Sequence, residues 1–427
     1  MCILLHRVSR FVDRKGKAFF FAKKKQKTFG RAVADLSGDR ATADQKFFGS
    51  FLQKRTSFFC LIAFLAAGIA HAEPRGFLET VHRHATLTST VTDNGDLNPY
   101  AVVVSPVSAG KIQKDDVLVD NFNNISNLQG TGTTIVGYRP ATRDTYLFTR
   151  LPQNVPGCPG GVGLSTAMVV LKSGWVIVGS TPSRDGTTAT KGDGCLLVLD
   201  SQGKLATAWS GPNIDDPWGN MAVVDRGESA TLFISMAGFG LPAPSVLDPA
   251  TGLPVVIHKA TVLRLEIAVP LGGAPAITKQ TVVASGFSQR ADRDNFLLGP
   301  TGLALGAEGT LYVTDGLDNL IAAIPAATTR ADSAGTGRVV TQGGLLSWPL
   351  AMVMTPEGHL LVCNGRDGRL VEVDPVAGKQ IYAQWINNDQ AQSPPGNGDL
   401  FGIALTPDAK GFYYVMDDVN TLMRAGR

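Results

Sequence analysis

The sequence predicts an all-β chain, a six-bladed β-propeller closed by an N-terminal outer strand. Three observations lead there. A strand–turn–strand unit recurs six times after about residue 73. The 48 Gly and 24 Pro are scattered along the chain as turn residues, not gathered into one linker. One strand-like segment also precedes the first unit, where the last unit is a strand short.

The clearest unit is Gly299–Asp315, with a short apolar strand, a Glu308-Gly309 turn and a second strand. Third and fourth strands follow at Leu320–Ile324 and Arg338–Thr341, which makes an antiparallel meander. Further copies run Trp348–Asn364 and Phe401–Asp417, with weaker ones opening near Pro99, Thr166 and Pro217. Aligned on a small residue in the first strand, the anchors are Ala101, Ala167, Gly219, Gly302, Ala351 and Gly402, with gaps of 66, 52, 83, 49 and 51 residues. The 83-residue gap holds one set of strands and a Pro/Gly-rich insertion around Phe239–Lys259, so the count is six. Units of this size cannot bury both faces alone and must stack on neighbours. The last copy supplies three strands. The segment Ala85–Thr92 is expected to be its missing outer strand, which removes the open sheet edges.

The N-terminal region differs in kind. Residues 55–72 read as a secretory signal peptide: Lys54-Arg55, the apolar run Phe58–Ala70, then the small-residue ending Ala70-His71-Ala72. That run is short of the roughly 20 residues a spanning helix needs. Residues 1–54 form a basic extension, read as a translation start assigned too far upstream, with the true start near Phe51. Residues 73–427 are the propeller, expected in the periplasm or outside the cell, with no transmembrane helix once the leader is cleaved. Residues 1–72 carry 14 Lys and Arg against 4 Asp and Glu, a net of +10, which leaves −7 of the chain's +3 to the remainder. An acidic propeller has no electrostatic reason to bind nucleic acid. Cys158 and Cys195 fall in loop-like sequence of one unit and form a candidate disulfide, in keeping with an oxidising compartment, whereas Cys363 reads as a buried strand thiol.

In a propeller meander, the loops between strands 2 and 3 share a face with those linking one blade to the next. Asp and Asn recur in both sets, including Asn98, Asn123, Asp294, Asn397, Asp399, Asp418 and Asn420. Such oxygen-rich groups suit a divalent cation such as calcium, or a polar ligand such as a sugar. The candidate ligand-binding residues are Asn121, Asp216, Trp218, Asn220, Asp315, Asn364 and Asp417. Against this stands the preference of Asp and Asn for turns, which alone explains a repeated position such as Asp315, Asn364 and Asp417. No G-x-S-x-G elbow or Walker loop is present, and His82, His84, His258 and His359 do not make a metal-binding set.

The Gly299–Asp315 copy resembles an NHL repeat, and residues 85–427 resemble NHL-type six-bladed propellers and their senescence-marker/gluconolactonase-like relatives. That resemblance implies the fold, and a function ranging from scaffold to ligand binder to lactonase. The gluconolactonase-like members hold a divalent metal near the channel with a first-blade carboxylate, two amides and a further carboxylate. Asn220 and Asp315 match two of these by blade order, while Pro99-Tyr100-Ala101 stands where the first carboxylate is expected. The function expected is a module binding a small polar ligand, a glycan or a protein, with a metal-dependent lactonase as the alternative.

Overall fold

The computed structural model describes residues 76–427. The extension and leader read in residues 1–54 and 55–72 lie outside the described residues. Among these, no helix is long and apolar enough to cross a membrane.

The chain enters through a short 3-10 turn at Leu78–Thr80 and β1 (Arg83–Ser89), then builds six antiparallel sheets. Blade 1 is β2 (Leu97–Val104), β3 (Val117–Asn123), β4 (Thr134–Arg139) and β5 (Asp144–Arg150). Blade 2 is β6 (Leu164–Val170), β7 (Val176–Ser180), β8 (Cys195–Leu199) and β9 (Leu205–Trp209). Blade 3 has five strands, β10 (Ala222–Asp225), β11 (Ser229–Met236), β12 (Ile257–Ala268), β13 (Ala276–Asp292) and β14 (Phe296–Leu298). Blade 4 is β15 (Pro300–Leu305), β16 (Leu311–Asp315), β17 (Leu320–Ile324) and β18 (Arg338–Gln342). Blade 5 is β19 (Pro349–Met354), β20 (Leu360–Asn364), β21 (Arg369–Asp374) and β22 (Lys379–Trp385). Blade 6 is β23 (Leu400–Leu405), β24 (Gly411–Met416), β25 (Thr421–Gly426) and, as its outer strand, β1.

Six apolar cores lie between successive blades. On β8, Cys195, Leu197 and Leu199 face the core shared with blade 1, and Leu196 and Val198 face the one shared with blade 3. Successive side chains point to opposite faces of a strand. With both faces covered, the inner strands read as continuous apolar runs, without polar alternation. The small anchors have a steric cause. A Cβ on Gly219 would lie 1.5 Å from Thr301 O, on Gly302 2.3 Å from Leu350 O, and on Gly402 2.1 Å from Tyr100 O. At these three glycines the neighbouring backbone comes too close for a side chain.

The closing strand pairs Arg83 with Gly426 through Ser89 with Thr421, with a bulge between Thr86 and Thr88, so it begins two residues before the segment expected from sequence. Ahead of it, Phe77, Leu78 and Val81 enter the core between blades 5 and 6. The fully buried Glu372 carboxylate accepts from Phe77 N at 2.9 Å and Leu78 N at 2.8 Å, and contacts His359 Nδ1 at 2.7 Å. The Pro/Gly-rich insertion is the β11–β12 connection. Cys158, between β5 and β6, is joined by a disulfide to Cys195, with a Cα–Cα distance of 5.0 Å. Cys363 is a buried thiol in the core between blades 5 and 6.

The fifth strand of blade 3 was not foreseen. β13 runs for 17 residues, far beyond a usual blade strand, and its C-terminal end turns back at Arg293-Asp294 to pair with β14. This hairpin carries a loop of blade 3 across to blade 1, where Gln129 Nε2 donates to Asp294 O at 2.8 Å.

Candidate functional site

The propeller axis is packed with aromatic rings. Tyr100 stacks on Phe401 (centroids 4.1 Å apart) and on Phe122 (4.5 Å). Phe122 meets Trp218 edge-on at 5.7 Å and Phe296 at 5.6 Å. All five rings are buried, with Leu350 beside them. Blades 1 and 3 are not neighbours, so contact between Phe122 and Trp218 requires both to reach the axis. The same holds for Asn220 of blade 3. Its Oδ1 accepts from Leu303 N (3.3 Å) and Met352 N (3.2 Å), and its Nδ2 donates to Leu303 O (2.9 Å) and Met352 O (3.2 Å). One amide thus ties blade 3 to the first strands of blades 4 and 5.

The residues present do not fit the metal centre that the family resemblance implies. The first-blade position holds the buried ring of Tyr100. Asn220 has both ends of its amide engaged with backbone. Asp315 accepts from Ser288 N (3.2 Å), Leu317 N (3.1 Å) and Asp318 N (3.3 Å), capping its own turn and joining it to blade 3.

The other sequence candidates are dispersed. Asn364 accepts from Ser347 N (3.1 Å) and donates to Leu345 O (2.8 Å) and Asp367 Oδ1 (3.0 Å). Asn121 donates to Thr90 O (2.8 Å) and Thr134 Oγ1 (3.1 Å), fixing the chain that leaves β1. Asp216 is fully buried, 3.2 Å from Lys191 Nζ, which also pairs with Asp215 at 2.8 Å. Burial outweighs the nearby ammonium and pushes the Asp216 carboxyl up to about 8. Trp218 belongs to the axial stack. Of the seven candidates, Asp417 lines a cavity.

That cavity, of about 500 Å³, lies over the seam between blades 6 and 1. Its wall comes from Asn98 at the start of β2, Asn123 at the end of β3, Gln129, the Arg293-Asp294 hairpin tip, the blade 5–6 connection with Gln392, and Asp417 and Asp418 after β24. Five of these residues present a buried oxygen with no hydrogen-bond partner: Asn98 Oδ1, Asn123 Oδ1, Gln129 Oε1, Gln392 Oε1 and Asp417 Oδ1. The amide nitrogens of three of them are engaged. Asn123 Nδ2 donates to Asn127 Oδ1 (2.7 Å), Gln129 Nε2 to the hairpin, and Gln392 Nε2 to Asp399 Oδ1 (2.7 Å) and Asp418 Oδ2. Buried acceptors are costly to leave unpaired, so a wall of them is complementary to something that donates.

The electrostatics agree. Burial, and then the charges of Asp418 and Asp399, hold the Asp417 carboxyl well above its ordinary range. Burial lifts Asp399 to about 7 against the hydrogen bond from Gln392, with the neighbouring Asp418 adding to the rise. Arg293, the cationic side chain of the wall, is paired with Asp294 at 2.9 Å. The residues missed from sequence are Gln129 and Gln392. The signal available for Gln392 was the long connection between β22 and β23, uncommon in a compact meander.

Buried carboxylates elsewhere give a pH prediction. Burial raises Asp120 to about 8, against the hydrogen bond from Ala101 N, and raises Asp315 to about 7. Both then bind protons more tightly in the folded than in the unfolded chain. Their contribution to stability is complete below about pH 4 and is lost as the pH rises toward 8. The melting temperature is expected to fall between pH 5 and pH 8, and Asp120→Asn should flatten that fall. An identical pH profile in the variant would show that Asp120 is ionised throughout.

No protein-family model matches the chain, and no curated protein matches it. Among solved structures it is similar to a gluconolactonase from Xanthomonas campestris (13% identity, TM-score 0.46, covering 81% of this chain and 89% of that one). It is also similar to the calcium-binding protein regucalcin from Agrobacterium tumefaciens (13%, 0.45, 80% and 92%). A third likeness is to a virginiamycin B lyase from Staphylococcus aureus (12%, 0.42, 81% and 100%). Likenesses at this level carry no argument about activity. The six-bladed architecture stands on the chain's own strand pairing.

Proposed function

We propose that the chain is an exported, NHL-type binding propeller whose mouth cavity seats a small ligand, or the end of a glycan or protein, rich in hydrogen-bond donors. The observation that carries this reading is that five of the residues lining the cavity each hold a buried acceptor oxygen without a partner, while none of the lining residues holds a buried donor without one. Unpaired acceptors favour ammonium groups, hydroxyl clusters or cations, and a carboxylate such as Asp418 adds charge to the selection. A cavity of this volume is of the size that small-molecule sites occupy. The lactonase alternative is the weaker reading, because it needs a metal at an axis that is filled by rings and by a fully engaged amide.

The test is a thermal-shift screen of protein recovered from the exported fraction, expected to begin at or near Glu73. The panel comprises sugars, sugar alcohols, amino sugars, amino acids and polyamines. A ligand selective for the native state raises its melting temperature. A hit is expected to bind at least about tenfold more weakly to Asp418→Lys, which places an ammonium in the mouth, and to Asn123→Ala, which removes an acceptor. Undiminished binding to both variants would move the site elsewhere.

A further inference from the structure

We infer that a second cavity, at the junction of blades 2 and 3, is a site for a small carboxylate that carries an apolar body and a hydroxyl group. It shares no lining residue with the mouth cavity over blades 6 and 1, and it stands independently of the function proposed there.

This cavity, of about 510 Å³, lies where the core between blades 2 and 3 meets the surface, and Phe239 and Val282 both pack against that core and line the cavity. The Pro/Gly-rich insertion begins and ends on it, with Phe239 at one end and His258 and Lys259 at the other. The strand pairing is irregular at the same place. Between Ile257 and Ala260, β12 carries one residue more than its partner, and β13 carries one more at Gly286, whose φ is +89°. Bulges re-aim side chains and are common beside active sites, and a long connection in a compact meander is usually a functional one.

Three residues of β12 give the cavity its chemistry. Lys259 makes no ion pair among the described residues, and no carboxylate lines the cavity, so its ammonium is open to an anion. It reaches the start of the insertion, where its Nζ would stand 3.1 Å from a Cβ on Gly240, the neighbour of Phe239. His258 is held from behind. Ser288 Oγ donates to Asp318 Oδ2 at 2.6 Å, which leaves that hydroxyl oxygen to accept from His258 Nδ1 at 3.1 Å. The neutral ring then carries its proton on Nδ1, and Nε2, without a partner among the described residues, offers a lone pair. Thr261, opposite Ser285 in the ladder, has a buried hydroxyl with no partner, a further donor for an anion. A free ammonium, a lone pair and the apolar wall of Phe239 and Val282 are complementary to a carboxylate, a hydroxyl and a hydrocarbon body on one molecule.

The probes are phenyllactate, phenylpropionate, which lacks the hydroxyl, and phenylpropanol, which lacks the carboxylate. Each is titrated into the full chain in mildly alkaline buffer and read by calorimetry and melting temperature. Phenyllactate at about 100 times its Kd should raise the melting temperature by about 4 °C, and each of the other two should bind at least about tenfold more weakly. His258 and Lys259 are both exposed, so variants there should fold as the wild type does. Lys259→Met should weaken phenyllactate binding at least about tenfold, and His258→Phe should bring phenyllactate and phenylpropionate to equal affinity. No binding of phenyllactate at millimolar concentration, equal affinity for the two acids in the wild type, or affinity unchanged in Lys259→Met overturns the inference. Binding that Asp418→Lys abolishes and Lys259→Met spares would belong to the mouth, and overturns it too.

Discussion

A chain shortened to begin at Asn98 is expected to lose the cooperative unfolding transition of the propeller, not merely to melt a few degrees lower. The truncation removes β1, and with it the ladder to β25. It also removes Phe77, Leu78 and Val81 from the core between blades 5 and 6 and strips Glu372 of its two backbone donors. Three buried apolar side chains at about 1.5–3 kcal/mol each come to roughly 5–9 kcal/mol. That is comparable to the whole net stability of an ordinary domain, about 5–15 kcal/mol. The loss also leaves an open edge on β25, a template for association. Circular dichroism melts and light scattering check this. A truncated protein with an unchanged melting temperature would mean that the ring does not depend on its N-terminal strand.

The second large effect is expected at Asn220. Its amide makes four hydrogen bonds to the backbone of β15 and β19, so Asn220→Ala strands two N–H and two C=O groups at the axis. The cost should be about 3–5 kcal/mol, a fall in melting temperature of roughly 5 °C. Asn220→Asp should be nearly as damaging, since it keeps the acceptor and replaces the donor with an oxygen facing two carbonyls. A metal ligand in a lactonase would behave otherwise: folding would survive either change, and the aspartate would retain the metal. The stability of the two variants, measured with and without chelator, therefore separates the roles without any knowledge of a substrate.

Most of the fold was legible, and the reason is physical. The spacing of Ala101, Ala167, Gly219, Gly302, Ala351 and Gly402 marked the blades because each is a small buried residue, and at the three glycines backbone from the next blade leaves no room for a Cβ. The missing strand of blade 6 and the Cys158–Cys195 pair were legible from chain order and loop chemistry. The site was much less so. Asp315, Asn364 and Asp417 occupy one repeat position and look alike in sequence. In the folded ring, Asp315 and Asn364 are satisfied by neighbouring backbone, and Asp417 keeps an unpartnered oxygen. That difference arises from which loops surround each blade end, and the repeat itself carries no record of it. Trp218 was a candidate ligand-binding residue. It is instead one of five rings that fill the axis, where partners come from blades distant in sequence. Gln129 and Gln392 enter the wall through long connections whose course depends on the closed ring.

The seam has a consequence in time. Thr90 Oγ1 and Asn420 O are hydrogen-bonded across 330 residues, so blade 6 cannot be completed until nearly the whole chain has been made. At about 5–20 residues per second, the ribosome needs roughly 15–70 s to cover that distance. For that interval the emerging polypeptide has neither its first strand paired nor its last blade formed. It is a nascent chain that cannot lock shut early.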